Sequence, residues 1–231
     1  MMTSTESAGG QPLVFLLDVD NTLFDNDRFA ADLSARLEQD FGAAERDRYW
    51  SLYAARRERG GYADYLGTLQ EFRDGRDFGQ RLLQLSAFVL DYPFMQHLYP
   101  GALEAIAHLQ LLGQTVVLSD GDVVFQPRKV QRSGIWDAVQ GRVLIYLHKQ
   151  LALDAVQRHY PADHYVMIDD KPQLLAVMKP LLGERLTTVF VRQGHYAREM
   201  PVASTGWPPD LTLGCIRELI GLDAAAFSGR P

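Results

Sequence analysis

Five short runs leave this chain few folds to choose from. Leu13–Val19, Thr115–Leu118, Arg142–Tyr146, Tyr165–Ile168 and Thr187–Val191 are rich in β-branched, aromatic and aliphatic residues. Such runs show little polar–apolar alternation, so they read as strands buried on both faces, as in a parallel sheet. The segments that precede and separate the last four have helical spacing. Ala102–Leu112 is closed by Gly113, Val123–Ser133 by Gly134, Gln150–His159 stops at Pro161, and Gln173–Met178 ends before Pro180. Strands alternating with helices in this way predict an open parallel α/β sheet with right-handed crossovers.

The chain from about residue 25 to 97 has another texture. Asp27–Phe41, Ala44–Arg59 and Phe78–Leu90 place apolar residues such as Phe29, Leu33 and Leu37 at helical spacing, with no strand between them. The expectation is an all-helical cap over 25–97, inserted into an α/β core made of 12–24 and 98–231. Residues 1–11 are expected to be a disordered leader, with neither the basic nor the apolar region of a secretion signal. The proline-bearing stretch Met200–Pro209 should be an extended connection, after which Asp210 would cap a last helix carrying Leu211, Ile216, Leu219 and Ile220.

Composition narrows the partners. A net charge of −6 lacks the broad cationic field of a non-specific nucleic-acid binder. The apolar run Leu13–Leu17 falls far short of the ~20 residues that span a bilayer. Cys215, the single cysteine, excludes an intrachain disulfide and a cysteine-based zinc site. A soluble, cytoplasmic protein with no nucleic-acid or membrane partner is expected.

The polar residues gather where these strands end. Asp18-Val19-Asp20-Asn21-Thr22 closes the first strand, Ser119-Asp120-Gly121 the second, and Asp169-Asp170-Lys171 the fourth, while His148-Lys149-Gln150 precedes a helix. Ligands of open α/β sheets bind at that edge. Two carboxylates ~4 Å apart repel by about 4 kcal/mol at an effective dielectric of 20, so a site that keeps several recruits a cation or a shared proton. Each motif alone can be a solvated turn or a helix cap; together, at one sheet edge, they describe a site.

The order Asp-x-Asp-x-Thr, Ser, Lys, Asp-Asp, carried by DVDNTLFDND (18–27), VVLSDGD (116–122), HKQ (148–150) and VMIDDKP (166–172), resembles the haloacid dehalogenase-like hydrolase superfamily. The resemblance spans residues 12–222 and implies a Rossmann-like α/β core with a C1-type helical cap. It implies that Asp18 is the nucleophile of an aspartyl-phosphate and that Asp20 is the general acid and base. Mg²⁺ would be held by Asp18, by Asp20 through its backbone carbonyl, and by Asp170 or Asp169, with Asp170 favoured. Ser119 and Lys149 would hold the phosphoryl oxygens, and Thr22 would fix the loop. A carboxylate at Asp20 favours a phosphatase acting on a small phosphorylated molecule over a dehalogenase, which needs no acid there. A phosphotransferase or mutase, a haloacid dehalogenase-type hydrolase and a non-catalytic phosphate-ligand binding protein are the alternatives.

Several residues admit two readings. Asp120 stands where many relatives carry Asn; it either faces the pocket, meeting a cationic group, or is a turn residue. Lys129 rivals Lys149 for the lysine role, and Lys171 either approaches the site or decorates a helix. The cap has ten arginines and no lysine. Its run Arg56-Arg57-Glu58-Arg59-Gly60-Gly61-Tyr62 reads as an anion clamp beside a hinge, or as a solvated helix end. Tyr49, Trp50, Tyr53, Tyr62 and Tyr65 could stack a ring or form cap core. His195 reads as a loop histidine and Cys215 as a buried helix residue.

Overall fold

The computed structural model describes residues 13–199 and 206–227, so the proposed leader 1–11 and residues 200–205 of the proline-bearing connection lie outside the described residues. Six parallel strands form one sheet in the order β3-β2-β1-β4-β5-β6. They are β1 (Leu13–Leu17), β2 (Gln114–Asp120), β3 (Val143–Tyr146), β4 (His164–Asp169), β5 (Leu186–Val191) and β6 (Leu211–Leu213). Alternate residues of the central strands feed two cores. Phe15, Leu17, Val117, Val166 and Ile168 pack on one face, and Val14, Leu16, Val116, Tyr165 and Met167 on the other. That double burial is why the strands read as unbroken apolar runs. With β1 between β2 and β4, the order reverses at β1, which opens the ligand crevice of such sheets at its carboxyl end.

Helices α1 (Asn26–Phe41), α2 (Ala43–Gly60), α3 (Tyr65–Phe72) and α4 (Gln80–Leu90) follow β1, and no strand lies among them. Phe29, Leu33 and Leu37 of α1 are fully buried, as their spacing requires. The chain passes between the helices and the sheet through two adjacent linkers, tied by Asp25 N–H to His97 O (2.9 Å) and Tyr99 N–H to Leu23 O (2.9 Å). The remaining helices are α5 (Ala102–Leu112), α6 (Phe125–Arg132), α7 (Ile135–Ala138), α8 (Leu153–His159), α9 (Pro172–Leu182) and α10 (Gly194–Glu199).

Several sequence expectations need correction. Asp210 caps no helix. Its carboxylate accepts from Thr188 N (2.7 Å) and Thr188 Oγ1 (2.8 Å) and pairs with Lys179 (2.8 Å), fastening β6 beside β5. Leu211 therefore belongs to a sixth strand, while Ile216 and Leu219 lie in a 3₁₀ turn, Ile216–Gly221. Cys215 sits just before that turn and is half-buried rather than inside a helix. The helix expected over Gln150–His159 divides into a 3₁₀ turn, Lys149–Leu151, and α8. Helix α9 continues through Pro180 to Leu182, because a proline in the last turn forfeits only one terminal hydrogen bond. Among the described residues no helix is long and apolar enough to cross a membrane.

Candidate active site

Asp18 follows β1 directly, and its N–H donates to Ile168 O (3.0 Å), holding it level with the end of β4. The turn after it closes by Leu23 N–H and Phe24 N–H both donating to Val19 O (2.9 Å each). Asn21 takes a left-handed φ of 60°, and its Oδ1 accepts from Asn26 N (3.0 Å) and Asp27 N (3.2 Å) at the start of α1. The loop is thereby set by the residues that also begin the first helix. Thr22, fully buried, donates through Oγ1 to Asp18 Oδ2 (3.2 Å).

Lys149 is the electrostatic centre. Its side chain is wholly buried, with Nζ 2.5 Å from Asp18 Oδ1 and 2.6 Å from Asp169 Oδ2. Burial opposes the charge on this ammonium, but Asp169, Asp18 and Asp120 outweigh it and hold its pKa well above the usual lysine range. Asp120 accepts from Lys149 N at 2.7 Å and also lines the cavity described below. It thus fixes the lysine's loop, a role that neither sequence reading included.

Asp18, Asp169 and Asp170 bring carboxylate oxygens within 4.8 Å of one another, all three residues buried. Asp169 is engaged on both oxygens, by Lys149 Nζ and by Lys171 N (2.8 Å). Neither oxygen of Asp170 has a hydrogen-bond partner among the described residues. Burial, then the charges of Asp169 and Asp18, push the Asp170 carboxyl up to about 9. Burial likewise raises Asp169, with Lys149 opposing it. A buried carboxylate with two unpaired oxygens is costly unless a proton or cation meets it. The donor set is hard oxygen only, which suits Mg²⁺, so the residues present fit that ion.

Asp20 is placed from the opposite side. Lys129, fully buried on α6, sets Nζ 2.5 Å from Asp20 Oδ1, between the rings of Phe24 and Phe125. Gln126 Nε2 donates to Asp20 Oδ2 (3.2 Å) and to Ser119 Oγ (2.9 Å), joining the acid to the hydroxyl that ends β2. The two lysines therefore divide the work: Lys149 meets Asp18 and Lys129 meets Asp20. The i, i+3 pair Gln126 and Lys129 presents one helix face to the site, a signal available in the sequence once α6 is placed.

A cavity of about 410 Å³ opens beside these groups, lined by Asp20 and Asp120 from the sheet edge, by Trp50, Tyr53 and Arg57 of α2 and by Tyr62 just after it. Of the five aromatics singled out in the sequence, Tyr49 is packing core, while Trp50, Tyr53, Tyr62 and Tyr65 reach this cavity. Arg56 and Arg59 turn instead to Asp64 and Glu71. His195 belongs to α10 rather than a loop; its Nδ1 lies 2.5 Å from Asp27 Oδ1 and 3.3 Å from Asn21 Nδ2. Gly61, with φ 76°, faces His148; a Cβ there would lie 2.3 Å from the His148 ring, so only glycine lets α2 end against the lysine loop.

A family model for haloacid dehalogenase-like hydrolases matches residues 13–174. A crystal structure of a haloacid dehalogenase-like hydrolase from Burkholderia xenovorans LB400 is 55% identical over 93% of this chain and 100% of its own, with TM-score 0.87. The magnesium-bound hydrolase YfnB from Bacillus subtilis is 16% identical, covering 92% of this chain and 100% of its own at TM-score 0.62. L-2-haloacid dehalogenase from Xanthobacter autotrophicus, with chloropropionic acid covalently bound, is 16% identical, covering 90% and 97% at TM-score 0.60. No curated protein sequence matches.

Proposed function

Because the chain belongs to the haloacid dehalogenase-like hydrolases, we propose that it is a Mg²⁺-dependent phosphatase acting on a small phosphate monoester. The observation that carries this reading is Asp20. A second carboxylate stands two residues from Asp18, lines the cavity, and is gripped by Lys129 and Gln126. An enzyme that displaces halide has no leaving oxygen to protonate, whereas ester cleavage needs a proton donor at that point.

In this mechanism an Asp18 carboxylate oxygen attacks phosphorus as the bond to the ester oxygen breaks, and Asp20 gives that oxygen its proton. Asp20 then takes a proton from water as the water oxygen attacks phosphorus, freeing inorganic phosphate and restoring the Asp18 carboxylate. Lys149 and Ser119 hold the transferring oxygens, and Thr22 keeps the nucleophile oriented. Asp18, Asp170 and the Asp20 backbone carbonyl would hold Mg²⁺, which neutralises phosphoryl charge when bound. Asp169 supports the site through Lys149, and Asp170 is the acid with oxygens to spare. Residues 25–97 act as the cap, with 12–24 and 98–231 as the core.

The test is phosphate release from a panel of sugar, nucleotide and organic-acid monophosphates, with Mg²⁺ or chelator, beside halide release from 2-haloacids. Metal-dependent phosphate release, lost in Asp18→Asn and strongly reduced in Asp20→Asn, supports the reading. Halide release that survives Asp20→Asn would replace it with dehalogenation.

A further inference from the structure

Arg57 is one of three cap arginines with no acidic partner among the described residues, and of the three it is the one that lines the cavity. Seven of the ten, namely Arg28, Arg36, Arg46, Arg48, Arg56, Arg59 and Arg76, form ion pairs with Asp or Glu. Arg57 has no acidic partner among the described residues; it lines the cavity, its guanidinium 5.7 Å from the centre of the Tyr196 ring. Lys171, reaching the same cavity from the sheet edge, sets its ammonium 5.4 Å from that ring. A last-turn arginine complements a helix dipole, but that duty does not explain why Arg57 enters the cavity while its neighbours turn to Asp64 and Glu71.

The cavity's acids do not consume this charge. Asp20 is met by Lys129 and Gln126, Asp27 by His195 and Asn21, and Asp120 by Lys149 N–H. Arg57 is left over beside the aromatic lining of Trp50, Tyr53 and Tyr62, whereas the Lys171 ammonium is held, against burial, by the charges of Asp18, Asp169 and Asp170. Aromatic walls lower the local dielectric and strengthen a charge-assisted hydrogen bond to an oxyanion.

We propose that Arg57, beside the Tyr196 ring, binds a second anionic group of the substrate. The substrate class is then a small phosphomonoester carrying a carboxylate or further phosphate at its other end. This rests on the phosphatase reading for the role of the first phosphate, and the test below separates the two.

The experiment compares ω-carboxyalkyl phosphates of two to five carbons with the alkyl phosphates of the same length. Affinity by calorimetry and turnover by phosphate release are both read, for wild type, Arg57→Lys and Arg57→Gln in the full chain. At least one carboxylated member should bind wild type about tenfold or more tightly than its alkyl match, the scale of one charge-assisted hydrogen bond. That preference should collapse in Arg57→Gln and partly persist in Arg57→Lys, because lysine keeps the charge without the planar fork. Equal affinity across every pair, or a preference unchanged in Arg57→Gln, overturns the inference even if phosphate is released. Arg57-dependent preference in binding without turnover supports it while removing the phosphatase reading.

Discussion

Replacing Asp170 by Asn should stabilise the metal-free protein. Asp170 is fully buried, and its carboxyl is pushed from 3.8 to about 9 by burial and by Asp169 and Asp18. A carboxyl raised in the folded state binds a proton there that the unfolded chain has released. Its contribution is therefore complete below about pH 4 and is lost as pH rises towards about 9. At 1.36 kcal/mol per unit, holding that proton at pH 8 costs about 5–6 kcal/mol. Asn is neutral at every pH and escapes this, though its buried amide forfeits about 1–3 kcal/mol for want of partners. The net gain of about 3 kcal/mol corresponds to roughly 6–12 °C in Tm for a chain of this size. Thermal unfolding of both proteins in chelator, from pH 4 to 9, should show the variant less stable at pH 4, the curves crossing at about pH 5 and then separating in the variant's favour as pH rises. Mg²⁺ should then raise the wild-type Tm and leave Asp170→Asn nearly unmoved. If the variant is less stable than wild type at pH 8 in chelator, or Mg²⁺ stabilises both equally, the reading of Asp170 as an uncompensated cation ligand is wrong.

Three other perturbations probe the surrounding groups. Lys149→Met leaves Asp18 and Asp169 facing each other without their shared ammonium; denaturant unfolding should show a loss of about 3–5 kcal/mol. Adding Asp169→Asn to that variant should recover part of the stability and none of the turnover. Lys129→Met keeps an apolar chain between Phe24 and Phe125 but releases Asp20; steady-state kinetics should show kcat down about ten- to a hundredfold with KM little changed. Gly61→Ala must adopt φ 76° and displace the His148 ring; the backbone strain alone is worth about 1–2 kcal/mol, and turnover should fall with the displaced Lys149 loop, measured by calorimetry and phosphate release.

Much of this arrangement was legible in the sequence because parallel strands buried on both faces read as apolar runs that stop where the chemistry begins. Asp18, Ser119 and Asp169-Asp170 were found as residues at the ends of such runs, and α1 and α5 came from apolar spacing that their burial explains. Contacts between distant segments were not legible. Nothing in the spacing of Asp20 and Lys129, or of Asp27 and His195, indicates that they meet across 109 and 168 positions. Strand β6 was hidden because three residues beside prolines carry too little pattern, and its place depends on Asp210 binding Thr188 and Lys179. Helix α3 leaves little trace in the sequence because it is only eight residues long and contains Gly67. The division of labour between the two lysines is set by the fold, since either can reach a carboxylate from its place in the chain.

Turnover in isotopically heavy-oxygen water tests the central chemistry most directly. After many cycles on the best phosphomonoester with Mg²⁺, mass spectrometry would read heavy oxygen in the released phosphate and in the peptide containing Asp18. Attack of water on an aspartyl-phosphate at phosphorus puts the label in phosphate and leaves the Asp18 carboxylate unlabelled, which is the result expected here. Label accumulating in the Asp18 carboxylate would mean that water attacks an acyl carbon, as an alkyl-ester intermediate requires, and would contradict the phosphatase account.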